Sequence, residues 1–182
     1  IVYHWGIGRP VLSPEQQTGG WAYAILPFIE QANFYNAPDY EIALALYHCP
    51  SRRGPISLQP DEDDMAVYSG GGWAWGKTDF AANGLVVKNR PNCTRIAEGI
   101  DGTSTTILVG EKAMDPRRAT RGGWFWDEPF LSGGSFASAR KGTEVLPDLP
   151  GIAYKDNWGS AHPSAVNFGF IDGSVRPIRH TT

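Results

Sequence analysis

Hydrophobic positions near the start of the chain recur at helical spacing. They are Trp21, Ala24, Ile25, Phe28, Ile29 and Ala32. An α-helix places residues three and four positions apart on one face, so this spacing predicts a short helix over residues 27–35, with Pro27 in its first turn. A second short helix is predicted to begin near Asp39, which can cap it, and to end by Cys49.

From residue 51 onward the pattern changes to short apolar runs separated by turn residues. The predicted strands are residues 66–69, 78–82, 104–111, 122–127, 165–171 and 174–178. In the last pair, apolar residues alternate along the first strand, and Asp172-Gly173 supplies the positive-φ residues of a tight hairpin turn. Pro177 places the final strand at a sheet edge, because proline cannot donate to a strand ladder.

These elements predict an α+β fold with short N-terminal helices and an antiparallel β-sheet that ends in a C-terminal hairpin. Gly 22 and Pro 14 exceed average usage, which favours many turns and short strands. No internal repeat or low-complexity linker divides the chain, so residues 1–182 are expected to form a single domain.

Charge and hydropathy exclude two classes of partner. The net charge is −3 without a dense Lys/Arg run, so nucleic acid and anionic lipid both lack their usual electrostatic footprint. No stretch approaches the roughly 20 apolar residues that cross a bilayer. The sequence begins at Ile1 without a signal peptide, and we expect a mature or truncated product.

The two cysteines, Cys49 and Cys93, fit no metal-binding pattern. Both lie next to Pro or Asn in turn-like segments, so a disulfide between them is predicted for an oxidising compartment. Two buried free thiols are the alternative, because free cysteine behaves as a small hydrophobe.

Pairs of tryptophans are the candidate binding residues. Trp73 and Trp75 share one face of an extended segment, as do Trp124 and Trp126. An exposed pair could stack on sugars or contact a protein partner, whereas a buried pair belongs to the core. We expect Trp124 and Trp126 in the core, and Trp73 on a loop after three glycines.

Signals for catalysis are absent from the local sequence. There is no G-x-S-x-G nucleophile motif, and Ser160 and His162 are near neighbours only in sequence. No two of the four histidines are spaced i, i+4. Three carboxylates are available for a hydrolase, those of Glu111, Asp127 and Glu128. Asp127 and Glu128 are adjacent, however, and adjacent residues on a strand point to opposite faces, so these two make a poor catalytic pair. No catalytic residue and no metal site is therefore predicted.

The acidic run over residues 61–64 has two interpretations. A solvated loop is favoured. A calcium loop is the alternative, although the EF-hand spacing is missing. No cofactor is expected unless calcium binds here.

His162 and Asp172 lie at opposite ends of a predicted strand. Residues 166–171 alone span about 20 Å, so the two side chains cannot form a local acid–base pair. Asp172 is expected to shape the hairpin turn, and His162 to anchor the entry of the strand through hydrogen bonds of its ring.

Several segments, in order along the chain, resemble one known family. Residues 162–175 read His-Pro-Ser-Ala-Val-Asn-Phe-Gly-Phe-Ile-Asp-Gly-Ser-Val, which resembles the C-terminal signature (His, nine residues, Asp-Gly) of a planctomycete-type prepilin-like family. Residues 26–36, 49–51, 78–84 and 101–111 resemble further blocks of that family. Arg52 departs from it, since the family usually has Asp there.

The resemblance implies a pilin-like head related to type II secretion pseudopilins and type IV pilins. His162, Asp172 and Gly173 would be its structural signature, and it supplies no catalytic residues. An N-terminal apolar helix, missing from this chain, would anchor the precursor at the periplasmic face, the cell surface or outside the cell. Other pilin-like subunits or surface proteins would be the partners.

Three functions follow from these observations. The leading one is a non-catalytic, pseudopilin-like structural or assembly subunit of a bacterial surface or secretion apparatus. The alternative is a carbohydrate- or protein-binding surface module that uses exposed tryptophans. A glycoside or ester hydrolase is third.

Overall fold

Both α-helices of the described residues are short and lie near the start of the chain. The structure, a computed structural model, describes residues 6–62, 74–88, 95, 101–123, 127, 129–133 and 138–181. Helix α1 is Trp21–Ala24 and helix α2 is Ala32–Asn36. Tighter 3₁₀ turns occupy Leu26–Ile29, Ala45–Tyr47 and Pro116–Arg118.

The predicted helix over residues 27–35 is interrupted in its middle. Pro27 begins a 3₁₀ turn, as expected, but Glu30 takes a left-handed conformation (φ 62°) that ends this turn before α2 begins. The helix predicted from Asp39 is wrong. The Asp39 side chain instead accepts a hydrogen bond from the backbone N–H of Glu41 at 3.0 Å, a local turn that competes with helix formation.

Short strands make up most of the remaining regular structure. In chain order they are β1 (Gly6–Ile7), β2 (Ser57–Leu58), β3 (Pro60–Glu62), β4 (Trp75–Gly76), β5 (Phe80–Asn83), β6 (Ile107–Glu111), β7 (Gly122–Gly123), β8 (Ser132–Gly133), β9 (Ala139–Arg140), β10 (Val145–Pro147), β11 (Trp158–Ser160), β12 (Ala165–Phe170) and β13 (Val175–Arg179).

This content corrects the predicted fold class. The α+β pilin-like head with short N-terminal helices is wrong, because the described residues form a β-rich structure in which α1 and α2 have only 4 and 5 residues. Helices this short gain little from cooperative hydrogen bonding and depend on packing against the rest of the chain. No helix among the described residues has both the length and the apolar character to span a membrane.

The central sheet has five strands in the order β13-β12-β6-β5-β9. Neighbouring strands are antiparallel except β5 and β9, which are parallel, so the sheet is mixed. The predicted strands over residues 78–82, 104–111, 165–171 and 174–178 are confirmed as β5, β6, β12 and β13. The strand predicted over 66–69 lies outside the described residues, and of 122–127 only β7 is described as a strand.

The C-terminal hairpin is present, with a different turn from the one expected. Gly173 donates its N–H to the carbonyl of Phe170 at 3.0 Å and has φ 83°. Asp172 does not share the positive φ, so the loop is a three-residue turn with a left-handed glycine instead of a two-residue turn. As predicted, β13 with Pro177 lies at the sheet edge.

Among the described residues, buried apolar side chains form two clusters. One joins α1 and the following turns to Phe130 and Leu131. The other lies against the central sheet, where Val166, Phe168 and Phe170 of β12 pack with Ala81, Val145 and Trp158. The alternation along β12 therefore marks its buried face, as a period of two requires.

Candidate functional site

Three side chains from distant parts of the sequence bring their donor atoms together. Sγ of Cys49 lies 3.6 Å from Nε2 of His162, and Oε1 of Glu111 lies 3.3 Å from the same nitrogen. All three atoms lie within 4.8 Å of one another. We refer to Cys49, Glu111 and His162 as the Cys–Glu–His cluster.

Backbone hydrogen bonds hold each member of the cluster in place. Cys49 follows the 3₁₀ turn Ala45–Tyr47, and its N–H donates to Oδ2 of Asp79 at 2.9 Å. Glu111 ends β6, and its Oε2 accepts from the N–H of Asn167 in β12 at 3.0 Å. This bond occupies one carboxylate oxygen and leaves Oε1 directed into the cluster.

His162 enters from the bend between β11 and β12. Its backbone N–H donates to Oγ of Ser160 at 3.2 Å, and that hydroxyl donates to the carbonyl of Ala165 at 2.7 Å. Ser160 is fully buried and is used to close this bend. It therefore organises the backbone beside His162 and is not poised as a nucleophile.

Within the cluster, Cys49 and Glu111 are buried, whereas the His162 side chain is partly exposed to solvent. Cys49 is 3 % exposed and Glu111 1 %, whereas 30 % of the His162 side chain is exposed. Burial, and then the neighbouring Glu111 carboxylate, raise the pKa of the Cys49 thiol. The thiol is therefore a poor nucleophile in this environment.

The geometry differs from that of a cysteine–histidine–acid triad. In a triad the imidazole uses one nitrogen for the nucleophile and the other for the orienting carboxylate. Here Cys49 and Glu111 both face Nε2 of His162. Three donor atoms thus converge on one point, an arrangement that suits a shared cation better than a proton relay.

A network of buried ion pairs lies beside the cluster. Arg52 pairs with Asp148 at 2.7 Å and donates to the carbonyl of Gly159 at 2.9 Å. Arg53 donates to Asp79 at 2.8 Å. Asp79 thus connects the guanidinium groups to the backbone of Cys49.

A further ion pair in this network joins Lys112 to Asp127 at 2.9 Å. Burial lowers the pKa of Lys112 to about 8. Burial alone would raise the pKa of Asp127, but the charges of Arg53 and Lys112 hold it well below its usual range. Asp127 is therefore an ionised partner of these cations and not a proton donor near neutral pH.

Of the tryptophans considered for carbohydrate binding, only Trp75 lies among the described residues, and its ring is not exposed. Trp75 is 4 % exposed and packs its ring 5.6 Å from that of Tyr40. It is a core residue and offers no open face for stacking. Trp73, Trp124 and Trp126 lie outside the described residues.

The remaining sequence candidates have simpler positions. Asp172 is exposed in the hairpin turn, where it accepts from the N–H and Oγ of Ser174 at 2.9 and 2.7 Å. It has the turn-shaping role expected of it, well apart in the sheet from the strand entry at His162. Glu111 and Asp127 are engaged as described above, while Glu128 lies outside the described residues.

The disulfide and the calcium loop stay predictions. Cys49 carries a free buried thiol in this structure, and Cys93 lies outside the described residues. Of the acidic run, Asp61 and Glu62 belong to β3, whereas Asp63 and Asp64 lie outside the described residues.

The cluster could not be predicted from local sequence patterns, because its members lie far apart in the chain. Cys49 and His162 are separated by 113 positions, so no local spacing motif can join them. One signal was present: Cys49, Glu111 and His162 each belong to a different one of the ordered blocks that carry the family resemblance. His162, expected only to anchor a strand, supplies the nitrogen on which the cluster converges.

Comparison with known proteins places the chain by family alone. No curated protein and no solved structure matches it significantly. A family model described as "Protein of unknown function (DUF1559)" matches residues 5–182, nearly the whole chain. The chain therefore belongs to this DUF1559 family of proteins of unknown function.

Proposed function

We propose that this chain is a non-catalytic structural or assembly subunit of a bacterial surface or secretion apparatus. The proposal rests on the positions of residues from the sequence blocks that resemble the prepilin-like family. Cys49, Asp79, Glu111 and His162 come from four such blocks and meet in one mostly buried region. Residues used in this way hold distant segments together.

The carboxylates of the ion-pair network support a structural role. Asp79, Asp127 and Asp148 each accept hydrogen bonds from buried cationic side chains. A general acid or base must lie within hydrogen-bond reach of a substrate, whereas these carboxylates are occupied by neighbouring arginine and lysine side chains. These groups specify the packing of the segments around the central sheet.

The location and partners of the proposed role rest on the resemblance of the ordered blocks to the prepilin-like family. A subunit of this kind acts at the periplasmic face, at the cell surface or outside the cell. Its partners are further subunits of the apparatus or other surface proteins.

The direct test is cross-linking in the cell that produces the protein. The tagged full-length chain should fractionate with the cell envelope or the medium and form discrete cross-linked species with other envelope proteins. Recovery as a free cytoplasmic protein without such species would contradict the proposal.

A substrate screen tests the absence of catalysis. Purified chain is assayed against glycosidic, ester and peptide substrates, with E111Q beside E41Q as a matched control at an exposed position. We expect no turnover from any of the three proteins. Robust turnover that E111Q abolishes and E41Q retains would assign a hydrolase instead.

A further inference from the structure

We propose that Cys49, Glu111 and His162 form a binding site for a zinc-class divalent cation. The inference is independent of the assembly role proposed above. It rests on the identity of the three donors, on their mutual distances and on an unsatisfied carboxylate oxygen.

The donor set suits a late first-row transition metal. A thiolate, an imidazole nitrogen and a carboxylate oxygen are all ligands that Zn²⁺ accepts, and the thiolate disfavours Mg²⁺ and Ca²⁺, which prefer oxygen. Cys49, His162 and Glu111 offer one atom of each type.

Two of the three separations between donor atoms match those around a tetrahedral ion. With typical zinc bond lengths, a sulfur and a nitrogen ligand lie about 3.5 Å apart, and a nitrogen and an oxygen ligand about 3.4 Å apart. The corresponding separations here are 3.6 Å from Sγ of Cys49 to Nε2 of His162, and 3.3 Å from that nitrogen to Oε1 of Glu111. The third pair of atoms, Sγ of Cys49 and Oε1 of Glu111, lies within 4.8 Å.

The carboxylate supplies the second, independent observation. Oε1 of Glu111 is buried and makes no hydrogen bond of good geometry, whereas Oε2 is held by the N–H of Asn167. A buried carboxylate oxygen that lacks a well-formed hydrogen bond is unfavourable in the folded state. A cation among the three donors would compensate that oxygen directly.

The three side chains leave a fourth coordination position for solvent. The exposed part of His162 marks the side from which an ion and a water molecule can enter. Bound there, the ion would link the turn at Cys49, the end of β6 and the entry of β12. Binding would release the thiol proton and stabilise the folded chain in proportion to the ion concentration.

Cobalt(II) is the probe of choice because its thiolate complexes absorb in the near ultraviolet. Reduced, metal-free protein is titrated with Co²⁺, and we expect one equivalent to bind with a thiolate charge-transfer band that Zn²⁺ removes. C49S should lose the band, and E111Q and H162Q should bind at least tenfold more weakly. C93S is the matched thiol control and should retain the band.

Several results would overturn the site. They are the absence of saturable binding by the wild-type chain, a band that persists in C49S, and a band that disappears in C93S. A Cys49–Cys93 disulfide in protein isolated from its native compartment would also exclude the site there.

Circular dichroism shows whether each variant folds. If C49S does not fold, the wild-type chain is alkylated in mild urea, where the metal-free protein labels at Cys49. Zinc should then protect that residue. Equal labelling of Cys49 with and without zinc would also overturn the inference.

Discussion

At the scale of single residues, the interior of this chain contains charged side chains held in pairs. The Arg52 side chain is 3 % exposed and the Asp148 side chain 6 %. Arg52 also donates to three backbone carbonyls, those of Asp79, Lys112 and Gly159. Charges removed from water are tolerated only when partners replace the lost hydration, and these contacts do so.

Replacing Arg52 tests this network. R52M should lower the free energy of unfolding by about 3–5 kcal/mol, because the Asp148 carboxylate would stay buried without its partner. The matched control is R117M, since Arg117 pairs with Asp115 but its side chain is 66 % exposed. Urea unfolding at pH 7 measures both variants.

R117M should lose far less stability than R52M, because exposed ion pairs are screened by water. Equal losses in the two variants would contradict the view that burial makes the Arg52 pair important.

At the scale of elements, the hairpin β12–β13 depends on one left-handed residue. Gly173 has φ 83°, and a Cβ added there would meet no atom within 4 Å. A side chain at this position therefore has room, and any cost of introducing one comes from the backbone conformation alone. Mutations at Gly173 can therefore test the effect of the positive φ without a steric clash.

Two substitutions at Gly173 provide this test. G173V should lower the free energy of unfolding by about 1–2 kcal/mol, because a β-branched residue resists positive φ. G173N should lose much less, since asparagine tolerates the left-handed region. Thermal and urea unfolding give the comparison, and an unchanged midpoint for G173V would refute the strained-turn explanation.

At the scale of the whole molecule, depressed carboxylate pKa values make stability depend on pH. Hydrogen bonds from Arg117 and from the N–H of Gly151 hold the pKa of Asp115 well below its usual range. The pKa of Asp127 is depressed as well, by Arg53 and Lys112. An acid whose pKa is lower in the folded state stabilises the fold above its unfolded pKa, near 3.9, and this contribution is lost as the pH falls further.

The variant D115N makes this dependence measurable. At pH 7 it should be less stable than the wild type by about 1 kcal/mol, because the neutral amide loses the charge-assisted hydrogen bonds that Asp115 accepts from Arg117. The difference should shrink below pH 4, where protonation removes the carboxylate from the wild type too. Urea unfolding from pH 7 to pH 2.5 provides the test, and a difference that stays constant with pH would be evidence against it.

The sequence by itself determined those elements whose pattern is local. Alternation over β12, the turn residues after it and the edge position of Pro177 all appear within 15 consecutive positions, and the structure has each of them. Side-chain direction in a strand repeats every two residues, so a short window is enough to predict the hairpin. The type of its turn was not determined, because the choice between a two-residue and a three-residue loop depends on how the strands pair.

The tertiary structure alone decided the extent of the helices and the membership of the site. Helical spacing over residues 27–35 did not reveal that Glu30 would turn left-handed and divide the segment. Whether Trp75 is exposed, and whether Arg52 finds Asp148, depends on which segments pack together. Cys49, Glu111 and His162 meet only because β6 pairs with β12 and the turn at Cys49 is fixed to Asp79. A local pattern specifies the direction of a side chain, whereas contacts between distant residues arise from the packing of the whole chain.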